Sequence, residues 1–162
     1  MRVIVSDTSP ICYLVLIGEA ALIGKLYHRI LIPDVVYSEL QQERTPELVR
    51  AWLETAHESV EVISMGRIRP TGLVSSHMHP GELAAIDLAL DLKADLLLMD
   101  DRSGAEEARR LGLQVTGTLG ILARGAERGF VDLREALKKL QSTSFRATPE
   151  LIQQILDSSK SH

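Results

Sequence analysis

The apolar positions of this chain fall into short blocks whose period changes, and those changes place the elements. Val3-Ile4-Val5 is a β-branched run without polar alternation, the pattern of a strand buried on both faces in a parallel sheet. It ends in Ser6-Asp7-Thr8-Ser9-Pro10, where a hydroxyl N-cap and a proline suited to a first turn predict a helix start. Ile11 to Ile17 is apolar nearly all round, so this helix is expected to be buried, and Gly18 punctuates it. Glu19 to Tyr27 reads as a second helix, with Ala21, Leu22 and Leu26 at helical spacing. Ile30-Leu31-Ile32 predicts a short strand closed by Pro33. Asp34 to Leu40 then predicts a helix packed through Val36, Tyr37 and Leu40. After a polar loop from Gln41 to Thr45, Pro46 to Ala56 is expected to turn Leu48, Val49, Trp52 and Leu53 inward, and Val60 to Ile63 alternates weakly as a strand.

Ser64 to Pro80 holds Gly66, Pro70, Gly72 and Pro80 without a clear period, and reads as a loop that orders on binding. Gly81 to Leu92 is a strong helical pattern, with Leu83, Ile86 and Leu90 as a core stripe and Glu82 in the first turn, where the helix dipole favours an acid. Ala94 to Met99 predicts a buried strand ending in Asp100-Asp101. Ser103 to Leu111 is a helix stopped by Gly112, Leu113 to Thr116 the last strand, and Gly117 opens a helix to Arg128. Leu133 to Gln141 and Pro149 to Ser158 predict two more helices. Strands alternating with helices imply an α/β domain with a parallel sheet. No internal repeat or linker divides the chain.

Composition narrows the function classes. The 162 residues suffice for one domain with a sizeable core. Aromatics make up only 4%, which argues against a base-stacking platform of the single-strand-binding kind. One cysteine, Cys12, excludes an intramolecular disulfide and a Cys-based zinc site, and its apolar helical setting marks it as a small buried hydrophobe. No basic-then-apolar leader opens the sequence and no apolar run reaches membrane-spanning length, so a cytoplasmic protein is expected. The net charge of −4 is unevenly spread. Residues 1–101 carry 8 Lys/Arg against 15 Asp/Glu, whereas residues 102–146 carry 9 against 5. That asymmetry is compatible with a carboxylate metal site beside a phosphate-attracting surface, and equally with solvated faces of amphipathic helices.

Four acidic positions carry the candidate chemistry. Asp7 ends one strand, Asp100 or Asp101 ends another, and Glu39 and Glu82 lie on helices that must pack on the sheet. Each alone has a bland explanation: a helix cap for Asp7, a first-turn acid for Glu82, an exposed acid for Glu39, a turn for the Asp pair. Converging on one crevice, they would raise one another's pKa values unless a cation neutralised them. Mg²⁺ or Mn²⁺ takes such all-oxygen ligation and supports phosphodiester hydrolysis. A phosphotransferase of the haloacid-dehalogenase type is disfavoured, because Ser9 stands where its second acid belongs. His77-Met78-His79, with Glu82 close behind, offers a transition-metal alternative, although His-x-His in a loop is more often a surface feature.

Five stretches recur in an order that resembles the PIN domain family. They are Val5-Ser6-Asp7-Thr8-Ser9-Pro10, Pro33 to Leu40, Pro80 to Ile86, Leu97 to Arg102, and Val115 to Leu122. The likeness covers about residues 1–130 as a PIN-like domain, with residues 131–162 as helices packed on or extending it. It is similar in particular to prokaryotic PIN-like proteins described as predicted nucleic-acid-binding proteins. The resemblance implies a three-layer α/β/α sandwich with a central, mostly parallel sheet. It also implies a Mg²⁺- or Mn²⁺-dependent endoribonuclease, as in the toxin of a toxin–antitoxin pair. Asp7, Glu39 and Glu82 match the first three family acids, the third being more often Asp in toxin-type relatives. The fourth falls on Asp100 by spacing from Glu82, or on Asp101 by the strand end. Thr8 and Ser9 match small hydroxyl residues that support the first acid, and they are expected among the nucleic-acid contacts. Arg102, Arg109 and Arg110, with Arg124 and Arg128, are placed to steer an RNA backbone, single-stranded or structured. The implied partners are RNA, an antitoxin protein and a second copy in a homodimer, with no membrane. The alternative is a PIN-like module that binds nucleic acid or protein without cleaving it.

Overall fold

The computed structural model describes residues 2–56, 58–67 and 78–160. Five strands form one all-parallel sheet: β1 (Ile4–Ser6), β2 (Ile30–Pro33), β3 (Val60–Ile63), β4 (Leu96–Leu98) and β5 (Val115–Thr116), in the order β3-β2-β1-β4-β5. The chain therefore runs outward from β1 through β2 to β3, then returns to lay β4 and β5 on the other side of β1. That reversal leaves a crevice beyond the carboxyl ends of β1 and β4, where open α/β sheets bind ligands.

Strand alternation feeds two separate cores. Ile4, Ile30, Ile32 and Leu98 point to one face of the sheet, and Val5, Leu31 and Leu97 to the other. The first face is covered by α1 (Thr8–Leu16), α2 (Ala21–Tyr27), α3 (Asp34–Leu40), α4 (Glu47–Thr55) and α7 (Thr118–Glu127). Behind α7 lie α8 (Leu133–Gln141) and α9 (Pro149–Lys160), whose Leu133, Leu137, Leu140 and Ile152 complete the same core. The second face is covered by α5 (Pro80–Asp91) and α6 (Arg102–Arg110), through Ala85, Ile86, Leu88, Ala89 and Ala108. The result is the α/β/α sandwich that the resemblance implied.

Several expectations need correction. Leu48 does not face inward: it is 64% exposed, and α4 packs through Val49 and Leu53, with Trp52 half-buried. The helix runs from Glu47 with Pro46 at its N-cap, and its inward stripe is Val49, Trp52, Leu53 and Ala56 at i, i+3, i+4 and i+7, which turns Leu48 about 100° away toward solvent. On α5 only Ile86 of the predicted stripe is fully buried; Leu83 and Leu90 are half-buried. Small residues take their place, since Ala84, Ala85 and Ala89 let the helix lie close against the sheet. The first helix is not buried all round, because Cys12, Tyr13, Val15 and Leu16 remain half-buried. Cys12 is thus only partly enclosed, although burial still pushes its thiol up to about 11. The loop expected over residues 64–80 includes a short 3₁₀ turn, Met65–Arg67, and its stretch 68–77 lies outside the described residues.

Candidate active site

Asp7 stands where β1 meets α1, at the N-cap position of the helix, and its side chain makes no capping hydrogen bond. This removes the bland explanation for it. Its carboxyl is only 4% exposed and has no ion-pair partner among the described residues. Burial pushes its pKa up to about 7, against a hydrogen bond from the Thr8 backbone N–H, and Glu82, Glu39 and Asp100 push it further the same way. The four acids named from the sequence therefore share one electrostatic neighbourhood.

Each neighbour is held differently. Asp100 follows β4 and is bound to the start of α7: the Thr118 N–H donates to Oδ1 at 2.7 Å and the Thr118 hydroxyl to Oδ2 at 2.8 Å. Burial raises its pKa, while the Thr118 donors and the Ser9 hydroxyl lower it. Asp101, the next residue, caps α6 by accepting from the Gly104 N–H at 2.8 Å. The adjacent pair thus divides: Asp100 faces Asp7, and Asp101 serves as a helix cap whose charge acts on Glu82. Glu82, in the first turn of α5, has its pKa raised by burial and then by Asp101, with His79 opposing.

Glu39 reaches the site from α3. Thr8 Oγ1 donates to its Oε2, and His79 Nδ1 lies 3.1 Å from its Oε1. The same His79 nitrogen stands 3.4 Å from the Gly81 N–H. One nitrogen cannot donate and accept at once, and the shorter, charge-assisted contact makes it a donor to Glu39. Gly81 leaves room for the Glu39 carboxylate in this position, because a Cβ would lie 2.5 Å and 2.6 Å from its two oxygens. Gly117 gives Asp100 the same room, with a Cβ position 2.7 Å from its Oδ1. His79 is therefore engaged with an acid, and His77, its proposed companion in a transition-metal site, lies outside the described residues.

Thr8 and Ser9, placed by the sequence among the nucleic-acid contacts, spend their hydroxyls on Glu39 and Asp100. The arginines are exposed and mostly engaged nearby. Arg102 pairs with Glu106 at 3.2 Å, Arg109 donates to the Val115 carbonyl at 3.3 Å, and Arg110 pairs with Glu107. Thr118 had no role in the sequence reading, although it is the residue that fixes Asp100. Its signal was the Gly117-Thr118 pair where β5 turns into α7.

A family model described as a PIN domain matches residues 3–161. The chain belongs to the PIN domain family. Such domains are typically nucleases and generally use divalent metal ions. In structure this PIN domain is similar to a PilT N-terminus domain protein from the hyperthermophilic archaeon Sulfolobus solfataricus P2. The two share 20% identity over 78% of this chain and 95% of that one, at a TM-score of 0.54. It is also similar to a domain of a functionally unknown protein from Methanocaldococcus jannaschii, with 24% identity over 72% of this chain and 91% of that one, at a TM-score of 0.49. No curated protein matches the chain in sequence. Among the described residues no helix is long and apolar enough to cross a membrane.

The donor set of this PIN domain suits a hard divalent ion: a buried Asp7 beside the half-buried Glu39, Glu82 and Asp100, none paired with Lys or Arg among the described residues, with Asp7, Glu82 and Asp100 holding their protons more tightly than in water. Among the described residues, no three His, Cys, Asp or Glu side chains already stand together as a finished ligand set. Thr118→Val isolates the support of one of these acids: it removes the hydroxyl donor to Asp100 and keeps the N–H. The variant should lose about 1 kcal/mol of stability in thermal melts, together with metal affinity.

Proposed function

We propose that this PIN domain is a Mg²⁺- or Mn²⁺-dependent endoribonuclease, with Asp7, Glu39, Glu82 and Asp100 as metal-binding acids and Asp101 as the cap that fixes the β4–α6 turn. The observation that carries this reading is Asp7: a carboxyl buried at a helix start, capping nothing, and crowded by three other acids without a cation. A structural acid would be expected to cap or to pair. A divalent ion bound at such a site supplies water activation and charge neutralisation at the scissile phosphodiester.

The chain's own residues supply the rest. Thr8, Ser9 and Thr118 orient Glu39 and Asp100 through their hydroxyls, leaving few rotamers to freeze when ligand binds. The buried floor under Asp7 excludes water and strengthens electrostatic interactions at the crevice. The exposed cations of α6, led by Arg102, lie beside the last acid, where a phosphate backbone would approach. The toxin role and its antitoxin partner belong to the same proposal, and the family resemblance alone supports them.

A second reading, binding without cleavage, is favoured by the absence of a preassembled ligand set among the described residues. Cleavage of a labelled single-stranded RNA separates the two. The nuclease reading requires product with Mn²⁺ or Mg²⁺, none in EDTA, and none from Asp7→Asn under any condition. Binding of the RNA without product in either ion overturns the nuclease reading in favour of the second.

A further inference from the structure

The sheet edge opposite the acids holds a cavity. Arg2 and Val3 precede β1, Arg29 precedes β2 and Ser59 precedes β3, so all lie at amino ends of strands, whereas Asp7 and Asp100 follow their strands. The cavity measures about 750 Å³, within the range of small-molecule sites. Its walls are largely apolar, from Ile4, Leu26 and Leu31, with the Tyr27 ring beside them.

Cations gather at its rim. Arg2 forms no ion pair among the described residues, and Arg29 meets only the exposed Glu61, at 3.5 Å. The Tyr27 hydroxyl makes no hydrogen bond with the described residues and feels both Arg2 and Arg124; burial pushes it up to about 12 while those two charges pull it down. Between Tyr27 and Arg29 the backbone is strained. His28 has φ 64° and ψ −57°, and the Arg29 N–H donates to the Tyr27 carbonyl at 2.7 Å, a γ-turn rarely adopted by a residue with a side chain. Such a turn brings an aromatic ring and a guanidinium to the same cavity within three residues, and strain of this kind clusters at ligand sites.

We propose that this cavity binds a nucleoside monophosphate, its base against Tyr27 and the apolar strand ends and its phosphate on Arg2 and Arg29. An inorganic anion alone would leave the apolar walls bare, and a purely apolar ligand would leave Arg2 and the Tyr27 hydroxyl without partners. Glu58, also on the rim, offers an acceptor for sugar hydroxyls. The ligand can come from the free nucleotide pool or as the terminal nucleotide of an RNA. The site stands whether or not the acidic edge cleaves RNA.

The test is calorimetric titration of the full chain in EDTA at low salt, which silences the acidic edge, using adenosine 5′-monophosphate as the probe. Saturable binding is expected. Arg2→Gln, a change at an exposed side chain, should weaken it about tenfold through loss of a charge-assisted contact, and Asp7→Asn should leave it unchanged. A 5′-phosphorylated RNA hexamer identifies the source. Competition at higher affinity than the monophosphate points to a chain end, and competition at lower affinity points to the free nucleotide. No saturable binding, equal affinity in Arg2→Gln, equal affinity for inorganic phosphate, or loss in Asp7→Asn would each overturn the proposal.

Discussion

Asp7→Asn should make the metal-free protein more stable at pH 8, not less. The Asp7 carboxyl titrates at about 7 in the folded chain against 3.8 for an ordinary Asp. Between those values the folded state holds a proton that the unfolded chain has released, so stability falls as pH rises through the window. The contribution is intact below pH 4 and lost above pH 7. A separation of about three pH units corresponds to about 4 kcal/mol. Asn cannot ionise and remains buried, so part of that gain returns as the cost of its amide. A net gain of roughly 2–3 kcal/mol would raise the melting temperature by roughly 5–10 °C for a chain of this size. Asp100 and Glu82, also shifted upward by burial, act in the same direction. Wild-type melts should therefore decline from pH 5 to pH 8, with a much flatter profile in the variant. Mn²⁺ at a hundred times its dissociation constant should return about 2.7 kcal/mol to the wild type, and much less to Asp7→Asn. Equal Mn²⁺ shifts in both proteins would show that Asp7 holds no ion.

Gly81→Ala should have the opposite profile: little change in stability and a large change at the site. The new Cβ would sit on the Glu39 carboxylate, 2.5 Å from Oε2. That carboxylate is the far end of a flexible side chain, so it moves and the backbone stays. Ala also suits a helix better than Gly, by about 1 kcal/mol, which offsets the adjustment. The displaced Glu39 loses the Thr8 hydroxyl and the His79 ring that now fix it. By analogy with other residues that orient metal ligands, Mn²⁺ affinity and cleavage should each fall by about 10- to 100-fold. Calorimetry with Mn²⁺ beside a thermal melt measures both halves. An unaltered Mn²⁺ affinity would remove Glu39 from the ligand set.

The two variants probe what the sequence alone could and could not determine. The order of strands and helices was legible because the central strands β1, β2 and β4 are short β-branched or Leu-rich runs closed by proline or acid. Largely buried on both faces, these three admit few alternatives, whereas β3 and β5 at the sheet edges are only partly covered. The positions of Asp7 and the Asp100-Asp101 pair were legible because an acid directly after an apolar run marks its end, and that of Glu82 because it follows the Pro80-Gly81 helix start. What the sequence left open was settled by contacts between distant segments. Which of Asp100 and Asp101 faces Asp7 depends on Thr118, eighteen residues away, whose N–H and hydroxyl take up one carboxylate while the Gly104 N–H takes the other. That Asp7 caps nothing is decided by where β1 delivers it beside β4, a pairing no local pattern encodes. Helix faces were misread where small residues carry the packing: the Ala84, Ala85 and Ala89 surface of α5 has little hydrophobic signal of its own. It becomes a core face only because the sheet comes close enough to meet it. Local chemistry determines where this chain turns, and the parallel pairing of β1 with β4 determines which acids share a crevice, because only that pairing removes them together from water.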